Sequence, residues 1–178
     1  MDPAELECFF VDRWNKTVLQ CEKELEPDDL ERVRQITSWD ALQCDALSDT
    51  LPYEISIIEP SLGHLRRFAT LFGTELAIDL NAGFFWGTLN LLLKIIAQDS
   101  VALGKIPRMI KSLGYKAEAF SVHWKVLSDN RDHMKEACFD IQVQMVRFFV
   151  ACIQSMRGEA TSAARMSPES KSQLIMEN

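Results

Sequence analysis

The chain has 178 residues, 47% of them hydrophobic and 25% charged, which is enough for one domain with a sizeable core. Its formal net charge of −7 argues against a nucleic-acid partner, because neutralising phosphates needs a basic face. It also weakens the case for an anionic membrane surface. With seven glycines, six prolines and only short β-branched runs, the balance leans toward helix.

The first helix is predicted from Pro3 to Leu25, with Asp2 as its cap and Pro3 where a missing N–H costs nothing. Leu6, Phe9, Phe10, Trp14, Val18, Cys21 and Leu25 recur by threes and fours, as one buried face requires. Pro27 stops that helix at Glu26 and starts a short one to Ile36. Ser38 or Thr37 caps another from Trp39 to Leu47, and a turn follows from Ser48 to Tyr53. Glu54 to Glu59 is strand-like in composition but has no partner strand, so it reads as the lead-in to the next helix. That helix starts at Pro60 and ends near Leu80, with Leu62, Leu65, Phe68, Ala69, Phe72 and Leu76 inward.

After a break at Asn81-Ala82-Gly83 comes the stretch that organises the rest. From Gly83 to Gln98 apolar residues lie on every side of the projected helix, so it must be buried on most of its circumference or sit in lipid. It is short and poorly composed for a bilayer span, and is expected as the central rod of a bundle. The next helix, capped by Asp99 or Ser100, repeats Ile106, Ile110, Leu113, Ala117, Phe120, Trp124 and Leu127 by four and three, the seam of two helices side by side. Pro107 marks a kink or its true start, and Gly114 a close helix approach. Ser128-Asp129-Asn130 is a short turn, which predicts that the last helix folds back antiparallel. Its stripe is Met134, Cys138, Ile141, Met145, Phe148, Phe149, Cys152, Ile153 and Met156, and Gly158 is placed to end it. The fold class is therefore all-α: a bundle of about six to eight helices over residues 1–158, then a flexible tail over 159–178.

Chemistry is sparsely marked. His64, His123 and His133 lack metal-ligand spacing, and His64 is placed on the exposed side of its helix. The acid pairs Asp28/Asp29, Asp45/Asp49 and Glu75/Asp79 read as solvated faces near helix ends, since the Glu-x-x-His pattern of a di-metal bundle is missing. No glycine loop of the phosphate-binding kinds occurs, so no nucleotide or other cofactor is expected. Five cysteines, an odd number with no C-x-x-C pair, fit reduced thiols in a cytoplasmic protein, with Cys8, Cys138 and Cys152 on apolar stripes. Lys105, Arg108, Lys111 and Lys116 form a basic flank on the heptad helix, read chiefly as a solvated face and also as a candidate patch for an acidic partner or lipid head groups.

The run Phe85-Trp86-Gly87-Thr88-Leu89-Asn90-Leu91-Leu92-Leu93-Lys94, followed by Leu113-Gly114-Tyr115 and by Val146-Arg147-Phe148-Phe149, resembles the α-helical N-terminal domain ahead of the NACHT module in fungal NOD-like (STAND) receptors. The resemblance covers about Leu62 to Met156. Its sharp point is Trp86-Gly87 in an apolar helix; Leu92, Leu93, Tyr115, Phe148 and Phe149 accompany it. It implies a non-enzymatic signalling module, with no catalytic or metal residues, that contacts a protein partner or another copy of itself. A nucleotide switch of the NACHT type would act in cis or in trans, since this chain has no phosphate loop. The alternative is a cell-death bundle that permeabilises membranes on oligomerising, through the segment Leu80 to Ala97 or the first helix.

Overall fold

The computed structural model describes residues 3–46, 53–75, 80, 82–126 and 131–165. Over these residues the chain is all-helical, with seven longer helices, one single helical turn and no strand. The elements are α1 (Pro3–Glu24), α2 (Pro27–Gln35), α3 (Trp39–Ala46), α4 (Tyr53–Ser56), α5 (Glu59–Glu75), α6 (Gly83–Ile96), α7 (Ser100–Val126) and α8 (Arg131–Arg165). The predicted turn from Ser48 to Tyr53 up to Pro52, that at Ser128 to Asn130, and the pair Glu75/Asp79 through Asp79 lie outside the described residues; Tyr53 itself opens α4.

Local chemistry sets the boundaries. Glu26 is extended (ψ 149°) because Pro27 follows it, and this separates α1 from α2. Ser38 caps α3, its Oγ accepting from the Ala41 amide at 3.2 Å. Asp99 caps α7 more strongly: its Oδ1 accepts from the amides of Val101 (2.8 Å) and Ala102 (3.0 Å). Pro107 is therefore not the start of α7, which is already two turns long there and runs across it. The missing proline N–H forfeits a single bond, that to the carbonyl of Leu103. The segment before α5 contains the turn α4, which seals Ile55 and Ile58 in the core.

The rod is where the periodicity puts it. Every residue of α6 from Gly83 to Leu93 is buried, with Trp86 4%, Leu89 0% and Leu93 1% exposed. Helices α2, α3 and α8 lie against it. Gly87 permits the closest of these approaches, because a Cβ there would overlap the Val33 carbonyl of α2. Phe85 meets Trp86 edge-on at 4.8 Å and Phe149 of α8 at 5.5 Å, while Trp86 meets Trp39 of α3 at 5.5 Å. Thr88, fully buried, bonds back to the carbonyls of Phe84 and Phe85.

Helix α7 packs chiefly on α5, not on α8. The crossing is tight at Gly114, where a Cβ would come within 2.6 Å of Ser61. The expected α7–α8 hairpin packing is thus replaced: α8 lies against α6 and α1. The predicted stripe is buried at Cys138, Met145, Phe149, Ile153 and Met156, and the buried face widens past it through Phe139, Gln142, Val143 and Val146, while Met134, Ile141, Phe148 and Cys152 are only half-buried. Gln142 is the exception on that face, wholly enclosed with neither amide atom hydrogen-bonded among the described residues. Gly158 does not end α8, which continues to Arg165; the surrounding helix formers outweigh a cost of roughly 1 kcal/mol. The predicted start of a tail at Glu159 falls inside α8, and residues 166–178 lie outside the described residues.

Candidate interaction surface

The predicted heptad seam of α7 has more apolar residues than α5 covers. Ile110 and Ala117 are buried, but Leu113, Phe120 and Trp124 are only half-buried. On α8 the residues displaced from the core face, Ile141 and Phe148, are half-buried as well. These two partly covered rows face each other across a groove of about 590 Å³, lined by Leu113, Ala117 and Phe120 from α7 and Ile141, Met145 and Phe148 from α8. Lys116, Asp140 and Gln144 are its polar rim.

On the other flank of α7, Arg108, Lys111 and Lys116 gather around Tyr115 in a shallow depression of about 450 Å³. Lys116 borders both surfaces. Lys105 is exposed on the same helix but outside the depression. Tyr115 is 55% exposed, so it is no part of the core, in contrast to Trp86, Gly87, Leu92, Leu93 and Phe149. Phe148 belongs to the groove wall.

Charge is distributed unevenly. Arg13, Lys16, Arg34, Arg67, Lys94 and Arg157 each hold a carboxylate. None of Lys105, Arg108, Lys111 and Lys116 has an ion-pair partner among the described residues. The single acid of α7, Glu118, is taken by α5: its Oε2 lies 2.9 Å from His64 Nδ1 and 2.9 Å from Arg67 Nη2. Those contacts, His64 first, hold its carboxyl below the usual carboxylate range. His64 is consequently half-buried in an α5–α7 tie rather than on an open face. At the groove, Asp140 is neutralised by Arg13 at 2.9 Å, whose guanidinium also sits over Phe9 and Phe139. The rim is left with a positive balance at Lys116.

Asp28 is exposed as expected, but Asp29 and Asp45 are not on the solvated faces expected of their pairs, and Asp49 and Asp79 lie outside the described residues. Asp29 is 3% exposed and gripped by Arg157 of α8 through two bonds, Nε to Oδ2 at 2.9 Å and Nη2 to Oδ1 at 2.6 Å. A carboxylate buried this deeply needs such a fork, and the bond raises the pKa of Arg157. Asp45 Oδ2 takes Asn90 (2.8 Å) and Lys94 (2.5 Å) of α6, tying α3 to the rod. Lys94 first and Asn90 second lower its pKa. These are structural ties between helices distant in sequence, and no spacing announces them.

Three of the five thiols are held from nucleophilic work by burial. Burial pushes Cys138 up to about 12 and Cys21 up to about 11, the latter aided by Glu24, and raises Cys152 too. Cys8 is exposed, contrary to its place on an apolar stripe, because it projects from the outer side of α1. No three His, Cys, Asp or Glu side chains converge as a metal site among the described residues. Nor, among them, is any helix long and apolar enough to cross a membrane.

No family model, curated protein or solved structure matches this chain. The surface itself therefore has to carry the functional reading. What it offers is an apolar groove with a one-sided cationic rim.

Proposed function

We propose that this chain is a non-enzymatic, cytoplasmic signalling module that works by helix-mediated contact with a protein partner or another copy of itself. The observation that carries the reading is the open α7–α8 groove with Lys116 on its rim and Arg108 and Lys111 close by, none of the three with an ion-pair partner among the described residues. An apolar groove bordered by charge is the ordinary form of a helix-receiving surface. The resemblance to the N-terminal domain of fungal STAND receptors points to the same class. It is supported by Gly87, next to Trp86, which lets the backbones of α2 and α6 touch. On that reading a NACHT-type nucleotide switch, in cis or in trans, governs the module.

Membrane permeabilisation by α6 is the weaker alternative. Its apolar circumference is already spent on α2, α3 and α8, so lipid contact would require the core to open. Size-exclusion chromatography with light scattering, combined with pull-down from the source cells, tests the main reading. A concentration-dependent oligomer or a retained partner is expected, each lost on substituting the groove. A strict monomer that retains nothing overturns it, and dye leakage from liposomes would replace it with the alternative.

A further inference from the structure

We infer that the α7–α8 groove receives an amphipathic helix whose apolar stripe is flanked on one side by carboxylates; this rests on the interaction reading above. The shape of the occupant follows from the walls. Leu113, Ala117 and Phe120 are spaced by four and three, and so are Ile141, Met145 and Phe148. Two walls with helical period present ridges that a third helix fills with residues at i, i+3 or i+4, and i+7. Each wall spans seven residues, about 10 Å of rise, so the anchoring stripe occupies two turns.

The charge of the occupant follows from what the chain leaves unpaired. Helix α7 carries five lysines and arginines against one acid, in a chain whose net charge is −7. That acid is held by His64 and Arg67. The α8 side of the groove has no such excess, because Asp140 is paired with Arg13 and Gln144 is neutral. The carboxylates therefore belong on the flank facing Lys116, the rim cation that the groove shares with the depression holding Arg108 and Lys111, and uncharged polar residues on the flank facing Gln144. A second copy is a poor source for such a helix. On α1 its exposed apolar residues, Phe9 and Leu19, are ten residues apart and off one helical face. The exposed Val101, Met109, Tyr115 and Val122 of α7 stand on a helix whose one acid, Glu118, is already held by His64 and Arg67. A bilayer is poorer still, since it offers a flat surface to a concave site.

The test uses the full 178-residue chain and two labelled helical peptides of about 18 residues, identical in their leucine stripe. One carries glutamates on a single flank and the other lysines at the same places. Fluorescence anisotropy should show saturable binding of the glutamate peptide, and at least about tenfold weaker binding of the lysine peptide. Lys116→Glu combined with Arg108→Glu, both exposed, should weaken the glutamate peptide about tenfold and reverse the preference. Gln144→Trp, which fills the groove from its exposed rim, should abolish binding with the circular dichroism spectrum unchanged. Equal binding of both peptides, or no effect of the charge reversals, overturns the inference. So does uptake of the chain by vesicles of phosphatidylcholine and phosphatidylserine, or self-association through the groove, with neither peptide bound. Self-association would leave the interaction reading standing, whereas a partnerless monomer would remove both.

Discussion

The central rod α6 and the outer half of α7 draw on similar apolar residues and finish in different surroundings. Helix α6 is buried from Gly83 to Leu93 among α2, α3, α7 and α8, and its lone cation, Lys94, is tied to Asp45. Helix α7 has one firm neighbour, α5, and keeps a half-covered apolar row and four cations with no ion-pair partner among the described residues on its remaining circumference. The contrast shows that apolar periodicity measures how much surface a helix must hide, not what hides it. Where the chain supplies too few neighbours, the remainder is available to something else.

The largest effect that can test this contrast is the loss of a ring. Phe85→Ala, wholly buried between Trp86 and Phe149, should cost about 4 kcal/mol in urea unfolding, from lost transfer energy and the cavity left behind. Phe120→Ala on the groove wall, already partly in water, should cost about 1–2 kcal/mol. Equal costs would mean that the groove is closed in solution and the contrast false.

Glycines give the next test, with opposite signs expected in the two helices. Gly87→Ala puts a methyl into the Val33 backbone of α2, and a neighbouring helix can yield only by moving. A loss of about 3 kcal/mol is expected. Gly104 in α7 has nothing within 4 Å of an added Cβ, so Gly104→Ala should stabilise by about 1 kcal/mol through helix propensity. A Gly87→Ala protein as stable as wild type would show that α2 and α6 do not touch there.

These features were unequally legible. The rod could be read because residues apolar on all sides leave no alternative to full burial. The start of α7 at Ser100 and the tight crossing at Gly114 could be read from local chemistry. The buried face of α8 was legible at Cys138, Met145, Phe149, Ile153 and Met156, but its two apolar edges were not told apart, one through Ile141 and Phe148 and one through Phe139 and Val146. Periodicity cannot rank them until α6 and α1 claim the second. The Asp29–Arg157 fork joins residues 128 positions apart, and neither residue type nor spacing reveals it. The groove itself arises from a mismatch between neighbours, which is a property of the assembled bundle and of no single segment.

The smallest expected effect concerns the edge of the rod, and it is a matter of pH. Asp45 ionises more readily folded than unfolded, because Lys94 and Asn90 stabilise its charged form. A carboxyl with a lowered folded-state pKa contributes stability that is full above the unfolded value, near pH 4, and is lost as pH falls through the folded value. The stability difference between wild type and Asp45→Asn should therefore be constant from about pH 5 to 7 and shrink below about pH 4. Because Asp45 and Lys94 are both partly in water, the difference should be small, of the size of a surface pair, and weaker in high salt. The cations of α7 make the complementary case. With no carboxylate of their own to lose, Lys116→Gln and Arg108→Gln should leave that acid limb where it is. If they flatten it as Asp45→Asn does, those cations are already paired within the chain, and the charge assigned to an incoming helix is not theirs to offer.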